Sequence, residues 1–161
     1  MSTTDDRIGI SDKQEAYHRA AEARSRIFSY EKPALDRVKG VVPIVKGELS
    51  RIHVQVVKEG GENNLHYHTG SETTWMVLRG RARFYGVGDM LLGEFGANQG
   101  IFIPGGMRYW FEKIGDEDLE ILQIVAYDRR DGAKAQRINI DAHKEWMSEG
   151  FLQVYEPAKE K

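Results

Sequence analysis

The stretch Gly60-Gly61-Glu62-Asn63-Asn64-Leu65-His66-Tyr67-His68-Thr69-Gly70-Ser71-Glu72 decides how the rest of the chain is read. Side chains two apart on a β-strand point to the same side, so His66 and His68 aim two imidazoles at one point while Tyr67 turns away. Glu72 shares their parity, and the Thr69-Gly70-Ser71 corner can turn the chain so that its carboxylate meets them. Two neutral imidazoles and a carboxylate suit a divalent first-row transition ion, with further coordination positions left for water or substrate. The expectation is one such ion per chain, held by His66, His68 and Glu72.

Outward from this stretch, Glu72-Thr-Thr-Trp-Met-Val-Leu-Arg-Gly80 runs into Arg81-Ala-Arg-Phe-Tyr85, and further on comes Gly100-Ile-Phe-Ile-Pro104-Gly-Gly106-Met-Arg-Tyr109. These two blocks resemble the two motifs of the cupin superfamily: a glycine, H-x-H, a carboxylate and a glycine, then P-x-G ahead of a last ligand. The resemblance covers Gly60 to about Leu122. It implies an all-β fold, a double-stranded β-helix or jelly-roll barrel, with a metal inside. Two departures stand out. Three residues after P-x-G, where the family usually places a histidine, this chain has Tyr109. Glu72 also lies one residue closer to His68 than in the commonest form of the motif, although the distance from His68 to Gly80 is the usual one.

The two-histidine, one-carboxylate set resembles the facial triad of non-haem iron oxygenases. The function expected on this basis is a mononuclear iron oxygenase or dioxygenase acting on a small organic metabolite. The same donors would hold Mn, Ni or Zn for isomerase, lyase or decarboxylase chemistry. A module that binds a sugar or aromatic metabolite without turning it over would use the same interior. Tyr109 is the candidate catalytic residue, a neutral phenol acting as pocket acid, base or hydrogen bonder, with coordination as tyrosinate the alternative. Phe111 shares the parity of Tyr109 and Met76 that of Glu72, so both are expected to line the substrate pocket.

The same parity puts Thr74, Leu78, Ala82 and Phe84 inside, provided that no bulge at Gly80 resets the register. Trp75 and Val77 then face outward and need a cover, either the N-terminal helix or a second subunit, and cupins of this size are often dimers, so a homodimer is expected. Arg79, Arg81 and Arg83 make a solvated or ion-paired strand face. In Arg51-Ile-His-Val-Gln-Val-Val57, Ile52, Val54 and Val56 read as core, which leaves His53 and Gln55 facing out and His53 outside the site.

Around this centre, Ser11 to about Ile27 reads as a helix with Ser11 or Asp12 as N-cap, and His18 lies on its surface. Eight β-rich runs follow between Val41 and Tyr127, divided by glycine, asparagine and aspartate. Asp141 to Met147 reads as a short helix with His143 facing solvent. Residues 1–37 thus form an N-terminal helical extension, 38–128 the barrel and 129–161 a C-terminal extension. At 161 residues the chain has room for one domain with a real core. Its formal net charge of −2 offers no general attraction to nucleic acid or acidic membranes, and with no cysteine any metal must rest on His, Asp, Glu or Tyr. The expected partner is a small molecule. With neither a membrane-length apolar run nor a signal-peptide pattern at Met1, the chain reads as cytoplasmic.

Overall fold

Short extended runs separated by glycine-bearing turns leave the chain few choices other than antiparallel pairing, and the structure, a computed structural model that describes residues 9–147 and 152–155, shows how the runs pair. One helix, α1 (Asp12–Glu22), precedes the strands β1 (Lys39–Lys46), β2 (Ser50–Val57), β3 (His66–Thr69), β4 (Ser71–Arg79), β5 (Arg81–Tyr85), β6 (Leu91–Phe95), β7 (Gly100–Ile103), β8 (Trp110–Ile114), β9 (Leu119–Tyr127), β10 (Gln136–Asn139) and β11 (Leu152–Val154). Six strands form a large sheet in the order β11-β1-β2-β9-β4-β7. Opposite it lie the pair β10-β3 and the triplet β6-β5-β8. These two small sheets continue one another, because His66 and Tyr109 exchange backbone hydrogen bonds of 3.1 and 2.9 Å. The result is the two-layered jelly roll expected from the pattern of runs.

The inner end of the barrel is dry. Val77, Ala82, Phe84, Phe111, Leu119 and Ile121 have no solvent exposure, and the Phe84 ring stacks on Phe111 at 4.9 Å. Phe84 and Ala82 point inward as expected, but Trp75 and Val77 do too, at 1% and 0% exposure. The change of side comes from an irregularity between Val77 and Arg79, which leaves Leu78 out of the pairing with β9. Gly80 follows with φ +77°, in the left-handed region, and a Cβ there would lie 2.6 Å from the Asp118 carbonyl oxygen. Strand β5 therefore starts with its alternation reset. The two residues that gave the sequence-based reason for a dimer are interior, so that reason lapses.

Ser11 caps α1 with a capping box completed by Gln14, yet the helix buries none of its residues. It ends at Glu22, five residues short of Ile27, because the following segment turns onto the large sheet. There Tyr30 donates to Glu120 at 2.7 Å, Lys32 pairs with Asp118 at 2.9 Å, and Lys58 donates to the Leu35 carbonyl at 2.7 Å. The tyrosine hydroxyl is pushed far up in pKa by burial and by the carboxylate beside it. Val54 and Val56, at 1% and 0% exposure, occupy this outer face of β2. The short helix expected from Asp141 is reduced to a single 3₁₀ turn, Glu145–Met147. Ile140 and Asp141 instead give their amide protons to the Leu65 carbonyl, which holds the chain extended beside the small sheet.

Candidate functional site

Along the inner face of the large sheet, each strand changes from apolar to polar toward the same end. On β2 the row runs Val57, Gln55, His53; on β4 it runs Val77, Trp75, Thr73; on β9, Ile121 is followed by Gln123. These polar ends, with β3, β10 and Lys39, line a cavity of about 490 Å³. That volume accommodates a small metabolite.

His66 and His68 both line it, their rings 5.1 Å apart and nearly perpendicular. Tyr109 lines it as well, with its ring 4.6 Å from that of His66. The Nδ1 of His66 lies 2.8 Å from the Asn64 carbonyl, which can only accept, so Nδ1 carries the proton and Nε2 keeps its lone pair. All three imidazoles of the cavity are held neutral at pH 7. Burial, assisted by the positive charge of Arg137, pushes His66 down to about 3 and His68 to about 4. Burial and then the charge of Arg51 push His53 to about 4.

Three expected site residues are elsewhere. Glu72 lies exposed on the outer side of β4. The cause is Gly70, whose φ of +60° breaks the alternation between β3 and β4, so the inward positions beyond the corner are Ser71 and Thr73. Met76 falls on that outer side too, at 36% exposure. Phe111 points inward but is packed in the dry end, away from the cavity lining. Conversely, His53 and Gln55 face the cavity, which corrects the outward placement read from alternation. Both sides of β2 are buried, one by the cavity wall and the other under the N-terminal segment, so alternation alone assigns the sides without saying which is interior. Lys39 and Arg137 were not reached by sequence reasoning. They lie on strands far apart in the chain, and nothing local marks them.

The donors present do not fit the three-ligand ion. The third ligand has turned away, its inward neighbours are neutral hydroxyls, and burial raises the pKa of Tyr109 well above the usual phenol value, which opposes tyrosinate. Among the described residues no cluster of three His, Asp or Glu side chains is arranged to hold a metal, and no carboxylate lines the cavity. Lys39, Arg51 and Arg137 line it instead. A site with this balance favours negative charge over a cation.

Its buried polar atoms reinforce the point. Gln55 donates from Nε2 to Gln123 Oε1 at 2.9 Å, but its own Oε1 has no partner in the protein. The indole N–H of Trp75 and the hydroxyl of Tyr109, whose rings are 6.5 Å apart, lie close enough for the indole to favour the phenolate, but neither makes a full hydrogen bond with the protein. An unmatched buried donor costs roughly 1–3 kcal/mol, and with the indole N–H directed at the phenol oxygen the Tyr109 hydroxyl proton is the one left to be matched by an acceptor.

A double-layered β-helix barrel with its polar cavity at one end is the architecture of the cupin superfamily, and the comparisons agree. Residues 53–125 match the family model described as a cupin domain. Among solved structures, the chain resembles a conserved protein with a double-stranded β-helix domain from Klebsiella pneumoniae, at 22% identity and a TM-score of 0.56 over 73% of this chain and 95% of that one. It also resembles the Cnp3 cupin domain of Schizosaccharomyces pombe, at 18% identity and a TM-score of 0.55 over 64% and 76% of the two chains. An RmlC-like cupin from Desulfovibrio desulfuricans aligns at 20% identity and a TM-score of 0.53 over 63% and 97%. At these identities the likeness is one of fold. No curated protein matches the chain. Among the described residues no helix is long and apolar enough to cross a membrane.

Proposed function

We propose that this cupin binds a small organic anion, a carboxylate-bearing metabolite, inside its barrel. The observation that carries the reading is the composition of one cavity: the guanidinium groups of Arg51 and Arg137, a buried lysine, the incompletely matched donors of Trp75 and Tyr109, and no carboxylate among the described lining residues. Trp75 N–H and Tyr109 O–H supply hydrogen bonds from the apolar side, and Arg51 and Arg137 supply charge from the exposed rim. The two-histidine, one-carboxylate iron centre expected from the sequence would need Glu72 beside His66 and His68, and Glu72 is turned away from that place. The organic-anion reading uses the residues where they are.

Isothermal titration with lactate, succinate and benzoate, each against its neutral amide, tests it. Saturable binding of at least one acid, with its amide weaker by about tenfold or more, is expected for charge-assisted recognition. Equal affinity for acid and amide would remove the basis of the proposal. Tyr109→Phe should weaken the acid by roughly fivefold to tenfold, the effect of one lost hydrogen bond.

A further inference from the structure

Lys39 is a lysine in an unusual place. It opens β1 on the cavity side with 2% exposure, and lysine is almost never fully buried unless it is paired. Its Nζ donates to Asn63 Oδ1 at 2.5 Å and stands 4.9 Å from the centre of the Phe111 ring, and Asn63 is itself buried and lines the cavity. The side chain is thus fixed along the junction between the dry end of the barrel and its polar end. A solvated surface ammonium has no such constraint.

Burial shifts Lys39 toward the neutral amine. Desolvation is the largest influence and Arg137 adds to it, while Glu62 acts in the opposite direction; the balance brings Lys39 down to about 7. A lysine titrating there is about half neutral at pH 7, whereas one at the ordinary value of 10.5 is neutral in only about one molecule in three thousand. Desolvated lysines of this kind are the ones that attack carbonyl groups.

We propose that Lys39 is a carbonyl-reactive amine that forms an imine with a 2-oxo acid held in the cavity. This rests on the organic-anion reading above, because the ligand's carboxylate is what the guanidinium groups and the Trp75 and Tyr109 donors hold. The Nζ lone pair forms the C–N bond to the ketone carbon while the C=O π pair moves to oxygen. A proton passing from nitrogen to that oxygen gives the carbinolamine. Departure of the hydroxyl with the second nitrogen proton releases one water and leaves the C=N bond. Amine and ketone thus become imine and water, with no oxidant or reductant consumed.

The test uses the whole chain at pH 7 with pyruvate or 2-oxoglutarate and sodium cyanoborohydride, which reduces an imine to a stable secondary amine. Intact mass and peptide mapping then locate the product. One adduct per chain on Lys39 is expected, formed at least about tenfold faster than on any other lysine, and suppressed by lactate, which carries the carboxylate without the ketone. Adducts spread over other lysines with Lys39 unmodified would overturn the inference. Because the product is mapped in the natural chain, the result does not depend on a variant folding; Lys39→Arg should then abolish the adduct. Calorimetry with lactate separates the two readings. Lactate binding with Lys39 unmodified would leave the anion site standing and remove the imine, whereas no binding and no adduct would remove both.

Discussion

The two ends of this barrel are made by the same strands and do opposite things. At the dry end, Val77, Phe84, Phe111, Leu119 and Ile121 are fully buried and belong to one apolar cluster. At the other end, His53, Gln55, Thr73 and Gln123 are also buried, yet they face a cavity, and some of their neighbours' polar atoms go unmatched. Burial at the first end removes apolar surface from water and stabilises the fold; burial at the second desolvates imidazoles and an amine and costs stability. The lesson is that exposure alone does not tell core from site. Trp75 and Tyr109 mark the boundary, for both rings sit in the apolar packing and both line the cavity.

The largest effect should therefore come from the dry end. Phe84 packs against Trp75, Phe95, Tyr109 and Phe111 at centroid distances of 4.9 to 6.2 Å. Phe84→Ala is expected to cost about 3–5 kcal/mol of stability. Thr73→Val, at the polar end, should cost less than about 1.5 kcal/mol, because it leaves the volume filled and removes at most the net worth of one hydroxyl hydrogen bond. Urea denaturation of both variants checks the contrast. Comparable losses would mean that the polar end is as much a structural core as the dry one.

Second in size are the rim charges. Arg51→Met and Arg137→Met should each weaken a bound carboxylate by about tenfold to a hundredfold, roughly 1.4–3 kcal/mol. Arg51→Met should move the denaturation midpoint little. Arg137 also donates to Asn64 Oδ1 at 2.6 Å and to Asn139, so its replacement should loosen β10 as well. Titration calorimetry combined with denaturation separates loss of ligand from loss of fold.

How much of this was legible in the sequence follows from which rules are local. The strand runs, the N-cap at Ser11 and the shared side of His66 and His68 depend on neighbours one to four residues away, and the structure has each of them. Glu72 and Met76 were misplaced because alternation was carried across Gly70, where a positive φ ends it. The trace of this was present, in the one-residue shortfall between His68 and Glu72. The inward side of β4 was then inverted as far as Leu78, where the irregularity restores the reading, so that Ala82 and Phe84 came out on the correct side. His53 needed knowledge that the residues around Tyr30 cover the outside of β2. Lys39 and Arg137 needed the whole fold.

A third prediction concerns acid. A histidine whose folded pKa lies below its unfolded value takes up its proton more readily when unfolded, so over that interval the unfolded state binds more protons and stability rises with pH. His53, His66 and His68, folded at about 4, 3 and 4, all act this way. Their contribution should be constant above about pH 6.5 and should decline progressively as pH falls toward 4. Lys39, folded at about 7 against 10.5, has the same sign higher up and should add stability as pH rises from about 7 to 10. Thermal melts from pH 4 to 10 check both. A His66→Gln variant should show a shallower acid limb, and an unchanged one would mean that His66 titrates normally.

The smallest effect expected is also the most decisive about the site. Glu72 sits on the solvent side of β4, opposite Ala126 of β9. If the cavity were completed by that carboxylate, Glu72→Gln would remove a ligand, lower metal content and weaken whatever depends on it. With Glu72 where the fold puts it, the substitution should change stability by less than about 0.5 kcal/mol, the usual range for an exposed side chain away from special features. Carboxylate affinity should stay within about twofold, since an exposed charge beyond the sheet is screened from the cavity by solvent and salt. Elemental analysis of the natural chain and the variant, purified in parallel, should give the same metal content. A fall confined to Glu72→Gln would require β3 and β4 to adopt another register, with Gly70 extended and the Trp75 side of the strand turned out. That would expose an indole now buried in the dry end, and the intrinsic tryptophan fluorescence of the natural chain would show it. The comparison of the two ends then turns on one glycine, because the φ of Gly70 determines whether Thr73 or Glu72 faces the histidines.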